Sequence, residues 1–303
     1  MKWLISIPVW GAPYARTFAR CAAPAMLAAL RGFPEPVKFL IHTDREAEVR
    51  AALPGVEVET CPIPTKPTYV TLQEGLADGV RAAGDGDRVV LLNADLVVSV
   101  NFFARCAEHF AAGKQAVVLL GIRTVMNERE APPPGAAPRV LLEWAWEHRH
   151  QIIRDLEWPH GGSMLPTNLF FSVGQSTVAR GFHLHPAAVI KHSDIRFRST
   201  IDGDLLDYFP REGIHVVTDP DDCSMAEVSP PERRFPVRGV HFNTGVVAGS
   251  MRSRASATHR WLFEHRIVVR GRADEVQEDI AIAIEILRCL GGAPPPAVDR
   301  GRR

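Results

Sequence analysis

Arg88 to Ser99 reads RVVLLNADLVVS, and the parsing of this stretch decides the fold. Five of the six residues from Val89 to Ala94 are apolar, the composition of a strand buried on both faces. Asn93 and Asp95 interrupt the run. An unpaired buried carboxylate costs several kcal/mol, so Asp95 belongs at the strand's end, in a hydrogen bond, or on a cation. On an extended backbone Asn93 and Asp95, two apart, point the same way and could grip one ligand. The other reading makes them turn or helix-cap residues.

Working outward, Trp3 to Trp10 (WLISIPVW) is a first strand ending in a turn at Pro8-Val9-Trp10-Gly11. A helix is expected from about Ala15 to Arg31, with Phe18, Ala22, Met26 and Leu30 on one face and Pro24 kinking or splitting it. Val37 to Thr43 is a second strand closing on Asp44, and Val56 to Cys61 a third after the helical DREAEVRAAL. Thr71 and Glu74 have capping-box spacing before the stripe Leu72, Leu76, Val80 and Ala83. A helix over 101–112 and a strand over 115–122 follow the central strand. Alternating strands and helices imply an α/β fold with a mostly parallel sheet and helices on both faces. Ligands of such sheets bind outside the carboxyl ends of the strands, where Pro8, Val9, Trp10, Gly11, Asp44, Asn93 and Asp95 converge. That convergence favours the ligand reading of Asn93 and Asp95.

The succession IPVWG (Ile7 to Gly11), HTD (His42 to Asp44) and AAGDGDRVVLLNADLVVS (Ala82 to Ser99) resembles the nucleotide-sugar half of GT-A-fold glycosyltransferases. Their hallmark is an Asp-x-Asp ending a buried strand; here the first Asp is Asn93 and the second is kept as Asp95. The resemblance covers roughly residues 1–125 and implies a Rossmann-like sheet that binds a nucleotide-diphosphate sugar. It implies further that Asp95 holds Mn²⁺ or Mg²⁺ against the diphosphate, with Asn93 on the cation, its water or the ribose; hard oxygen ligands suit those ions. Some members add a late histidine to the cation shell, for which His185 is the first choice here and His241, in VRGVHFNTG, the second. Two other classes share the sheet: a sugar-1-phosphate nucleotidyltransferase, whose first turn is Gly-rich whereas this one holds only Gly11, and a non-catalytic nucleotide-sugar binder. No G-x-G-x-x-G follows any strand, which excludes a plain dinucleotide-binding dehydrogenase.

The remaining chain is less regular, as an acceptor-binding half would be. The expected divisions are 1–125 for the nucleotide-sugar half, 126–250 for the acceptor half, 251–292 for C-terminal helices and 293–303 for a tail. APPPGAAP (Ala131 to Pro138) is a surface crossing, and Leu141 to Trp158 fits one helix, its tryptophans read as core. His160 to Ser163 is a candidate lid before a strand over 168–173. His183 and His185 would face one way on a strand. In Thr200 to Phe209 (TIDGDLLDYF), Asp202 is the expected N-cap of a helix and either Asp202 or Asp204 a carboxylate able to take a proton from an acceptor hydroxyl, as an inverting transfer needs. The D-G-D there fails as a calcium loop because Gly213 stands at the twelfth position. Asp219 to Asp222 read as a turn, and Trp261 to Val269 and Ala273 to Leu290 as helices, the last with a stripe of Val276, Ile280, Ile284 and Leu287.

Composition sets outer bounds. With 303 residues, 46% hydrophobic, and Lys plus Arg matching Asp plus Glu at 35 each, nothing global draws the chain to nucleic acid. Five scattered cysteines without C-x-x-C argue against disulfides or a zinc knuckle and for a reduced cytoplasm. No run approaches the ~18 apolar residues of a membrane span. The acceptor is expected to be a glycan or a small molecule.

Overall fold

The computed structural model describes residues 1–63, 69–125, 131–163, 165–195, 205–230 and 241–291, in two compact units. The first comprises Met1–His150 and Leu184–Phe235. Its first seven strands are β1 (Trp3–Val9), β2 (Val37–Thr43), β3 (Glu57–Pro62), β4 (Arg88–Leu91), β5 (Leu96–Val98), β6 (Ala116–Leu119) and β7 (Gly121–Val125). The second unit takes β8 (Asn168–Val173) and β9 (Ser176–Gly181), after which β10 (His185–Ile190), β11 (Ile214–Val216) and β12 (Met225–Ser229) return to the first. Seven strands form one sheet in the order β11-β6-β10-β4-β1-β2-β3; the small sheet β5-β12-β7 stands beside it in the same unit. Strands β3, β2, β1 and β4 are parallel, as are β6 and β11, and only β10 runs antiparallel to its neighbours. This is the expected α/β class.

Every residue of β1 is buried because helices cover both faces. Trp3, Ile5, Ile7 and Val9 share a core with Phe18, which follows the helix α1 (Gly11–Thr17), with Met26 of the helix α2 (Ala23–Ala29), and with Phe102 and Phe103 of α5 (Phe102–Ala111). Between α1 and α2 the chain continues as a π-helical turn, Phe18–Ala22, with Ala23 N–H bonded to Phe18 O. The expected helix thus begins earlier, at Gly11, and the widened turn accommodates Pro24, which has no N–H to give the preceding turn. Helix α3 (Glu46–Ala52) follows β2. On the other face α4 (Tyr69–Ala82) lies against β1. Thr71 is its third residue rather than its first. Beside the stripe of Leu76, Val80 and Ala83, Gly75 and Gly79 are buried too. Ser6 Oγ donates to Gly75 O at 3.2 Å, and a β-carbon at Gly79 would stand 2.3 Å from Ser6 Cβ. Gly79→Ala is therefore expected to cost about 1–3 kcal/mol despite alanine's better helix propensity. Its urea midpoint should fall, whereas Gly249→Ala, where nothing lies within 4 Å, should hold or raise it; an unchanged midpoint for Gly79→Ala would refute the close contact.

The central stretch is not one strand. Ladder bonding stops one residue past β4, where Leu92 N–H meets Ser6 O at 3.1 Å, and Leu96 N–H to Asn93 O closes a turn before β5 pairs with β12 in the other sheet. Asn93 and Asp95 thus sit at a strand's end, and the same-side argument for an extended backbone does not apply. The strand expected over 115–122 likewise divides into β6 and β7 in different sheets. The helix expected over 141–158 breaks after α6 (Pro138–Glu147), because His148 and His150 give their backbones to Val125 and Arg123 of β7.

The second unit holds the antiparallel sheet β8-β9-β13, where β13 is Ile267–Arg270, and the helices α7 (Gln151–Arg154), α8 (Thr244–Met251), α9 (Ala257–Phe263) and α10 (Glu278–Cys289). Ile267–Val269, expected to be helical, is strand because it completes the sheet on β9. Residues Ala273–Glu275 make a 3₁₀ turn before α10, and α10 buries Asp279, Ala283, Ile286 and Leu287, leaving Ile280 and Ile284 half-exposed. The phase is set by Asp279, whose carboxylate takes Arg180 Nε at 2.8 Å and Arg266 Nε at 3.0 Å. The loop at Gly161 is fastened rather than free: its N–H bonds Glu157 O, and its carbonyl accepts Phe242 N–H. Among the described residues no helix is long and apolar enough to cross a membrane.

Candidate functional site

The chain winds from β1 through β2 to β3, then crosses to β4 on the other side of β1. In such sheets ligands bind in the crevice outside the carboxyl ends of the strands at a reversal of this kind, here β1 and β4. Pro8 and Val9 end β1 with buried side chains, Val9 facing the core. Trp10 is half-buried, its ring 5.5 Å from that of Tyr14. Gly11 has φ +68°, a left-handed conformation that favours glycine, and its N–H donates to Asp44 Oδ1 at 2.9 Å. One bond thereby ties the end of β1 to the exposed carboxylate closing β2. Nearby, His42 is buried with Nε2 3.1 Å from Asp78 of α4; burial depresses its basicity, and Asp78 only partly offsets this.

At the end of β4, Asn93 Oδ1 is buried and has no hydrogen-bond partner among the described residues. Asp95 is 2% exposed, and its backbone carbonyl accepts Val228 N–H at 2.7 Å. His185, at the start of β10, donates from Nε2 to Leu91 O at 2.6 Å. So Pro8 to Gly11, Asp44, Asn93, Asp95 and His185 gather at one end of the sheet. His183 does not share a strand with His185; it belongs to the second unit, its ring 4.5 Å from that of His259. His241 is exposed in that same unit. Asp202 and Asp204 lie outside the described residues. The first described element after them is a 3₁₀ turn, Leu206–Tyr208, with Leu205 at its N-cap.

A second polar cluster went unread in the sequence. His109 in the last turn of α5, His215 in the middle of β11 and Asp222 in the turn before β12 bring one ligand atom each within 4.8 Å of one another. His109 Nε2 and His215 Nε2 lie 3.0 and 2.9 Å from Asp222 Oδ2, and Arg105 Nε donates to Oδ1 at 2.7 Å. Burial alone would raise the Asp222 carboxyl, but hydrogen bonds from His215, Arg105 and His109 outweigh it and hold the group well below the usual range. The two imidazoles are stacked, centroids 3.6 Å apart. The turn is placed by Asn101 Nδ2 on Asp222 O at 2.7 Å and by Ser224 N–H on Ser99 Oγ. Asp222 lies more than a hundred residues from His109, and no local pattern joins them; the one signal was a lone histidine, His109, on the helix expected over 101–112.

No family model matches the sequence, and no curated protein does. Solved structures do. One is Staphylococcus aureus TarS 1–349 in complex with UDP-GlcNAc, at 12% identity and TM-score 0.34 over 95% of this chain and 72% of that one. Another is glucosyl-3-phosphoglycerate synthase from Mycobacterium tuberculosis in complex with Mn²⁺, UDP and phosphoglyceric acid, at 14% identity and TM-score 0.26 over 42% and 44%. A Bacillus anthracis protein assigned as a glucose-1-phosphate thymidylyltransferase overlaps at 14% identity and TM-score 0.30, the chain spanning 57% of its length and the overlap 43% of this chain. The likeness is to nucleotide-sugar glycosyltransferases and a nucleotidyltransferase.

Proposed function

We propose that this protein is a glycosyltransferase that moves a sugar from a nucleotide-diphosphate sugar to an acceptor hydroxyl, with the donor in the crevice at the ends of β1, β2 and β4. The observation that carries the reading is the meeting there of the Gly11–Asp44 bond with Asn93, Asp95 and His185. Pro8 to Gly11 and Asp44 address the base and ribose. Asn93 Oδ1, a buried oxygen without a donor among the described residues, and the buried Asp95 carboxylate fit a hard cation such as Mn²⁺ or Mg²⁺. When bound, that ion neutralises charge on the departing diphosphate. Asp204 or Asp202 takes the proton of the acceptor, a glycan or a small molecule.

A thermal-shift panel of UDP-, GDP-, CMP- and dTDP-sugars with and without Mn²⁺ tests the reading, because a ligand of the folded state raises its midpoint by mass action. One donor should raise the midpoint further with metal. Asp95→Ala should lose the metal-dependent part of that shift and keep the fold; undiminished Mn²⁺ dependence would refute the assignment. Asn93→Asp, which adds a second carboxylate, should tighten the cation if the two side chains share it. A nucleotide-sugar binder without transfer activity is the second reading, favoured by Asn93 standing where a carboxylate is expected. Metal-dependent donor hydrolysis separates the two, since only an enzyme shows it.

A further inference from the structure

We infer that His109, His215 and Asp222 form a site for one borderline divalent transition ion, such as Zn²⁺, Ni²⁺ or Cu²⁺, separate from the crevice. Two imidazole nitrogens and one carboxylate oxygen are the donor set these ions favour, whereas Mg²⁺ and Ca²⁺ prefer oxygen alone. The spacing fits. Donors held about 2.0–2.1 Å from one ion in adjacent positions lie about 3 Å apart, and both Nε2 atoms stand 2.9–3.0 Å from the same oxygen, Asp222 Oδ2.

The carboxylate is divided between two tasks. Arg105 holds Oδ1 and orients the group, leaving Oδ2 as the atom on which both rings converge. Each ring then carries its proton on Nδ1 and offers the Nε2 lone pair to the ion. Asp222 is fixed before any ion arrives, by Asn101 on its backbone carbonyl. The thiol of Cys106 is fully buried and hydrogen-bonded to the buried Cys223. The His215 side chain is 25% exposed, which gives the ion a way in and leaves its remaining positions to water. Loaded, the site would tie α5, the edge strand β11 and the turn before β12 into one body.

The experiment uses the full chain without an affinity tag, stripped with EDTA and dialysed, then titrated with ZnSO₄ and with CuCl₂. One equivalent should bind saturably and raise the unfolding midpoint, with little response to MgCl₂. The Cu²⁺ form should give an electron paramagnetic resonance spectrum split by two imidazole nitrogens, a readout that needs no variant. His109→Gln with His215→Gln should weaken Zn²⁺ by more than the roughly 10–100-fold typical of an outer contact, with the metal-free midpoint confirming that the variant folds. Asp95→Ala, and Cys106→Ser with Cys223→Ser, should bind Zn²⁺ as the parent does. The inference is overturned by no one-to-one binding, by parent affinity in the double histidine variant, by a Cu²⁺ spectrum without two nitrogens, or by loss of binding in Asp95→Ala.

Discussion

Asp279→Ala is expected to destabilise the protein by about 3–5 kcal/mol, the largest stability effect of any single change proposed for this chain. Asp279 is fully buried on α10, and two guanidiniums converge on it: Arg180 from β9, itself 3% exposed, and Arg266 from the segment before β13. Arg266 Nη2 also reaches Oδ1 at 3.0 Å and Ala273 O at 2.8 Å, while Arg180 Nη1 holds Glu264 O at 2.9 Å. Removing the carboxylate strips the buried Arg180 and the partly exposed Arg266 of the counter-charge they share. The cost is that of orphaned charges rather than the worth of the pair, so replacing all three residues together by apolar ones, as Asp279→Leu with Arg180→Met and Arg266→Met, should recover much of the loss. Urea unfolding of the parent, the single variant and the triple variant checks both statements. A single-variant loss under about 1 kcal/mol would mean that water reaches the arginines and the cluster is not closed.

For activity the largest effect is expected at Asp204. If its carboxylate takes the acceptor proton, Asp204→Asn should lower turnover by about 10²- to 10⁴-fold with donor affinity nearly unchanged, because the carboxylate acts on the acceptor and not on the nucleotide. Asp202 is expected to differ. As a helix cap, Asp202 should lose about 1 kcal/mol of stability on change to Asn while turnover stays near the parent value. Initial rates with a donor found by the thermal-shift panel, together with donor dissociation constants, decide the matter. Parent turnover in both variants places the base elsewhere or makes the transfer one that retains configuration.

Much of the sheet was legible because buried parallel strands announce themselves locally. WLISIPV and VKFLIHT are strands almost to the residue, and the carboxyl-end positions at Gly11, Asp44, Asn93 and Asp95 follow from strand order alone. What the sequence hid depends on partners distant in the chain. Composition in RVVLLNADLVVS looks continuous, yet β4 and β5 join different sheets because β12, more than a hundred residues on, pairs with the second half. Asp279 was invisible for the same reason. A stripe of Val276, Ile280, Ile284 and Leu287 looks like a complete apolar face, and only the arrival of Arg180 and Arg266 turns the helix so that a carboxylate lies inside. His109, His215 and Asp222 each look ordinary on their own elements, and their significance exists only once the elements meet.

The antiparallel β10 bears on how this sheet can be made during synthesis. It fills the place between β4 and β6, pairing Ala188 with Val90 and Val189 with Ala116. A ribosome delivers β4 and β6 long before β10, so the four parallel strands β1 to β4 can assemble early while β6 waits without a neighbour on either side, β11 being later still. During that interval both β4 and β6 offer unpaired backbone edges, the exposure that invites association between nascent chains. Closing the gap joins segments about a hundred residues apart, a long loop that places completion of the sheet late in folding.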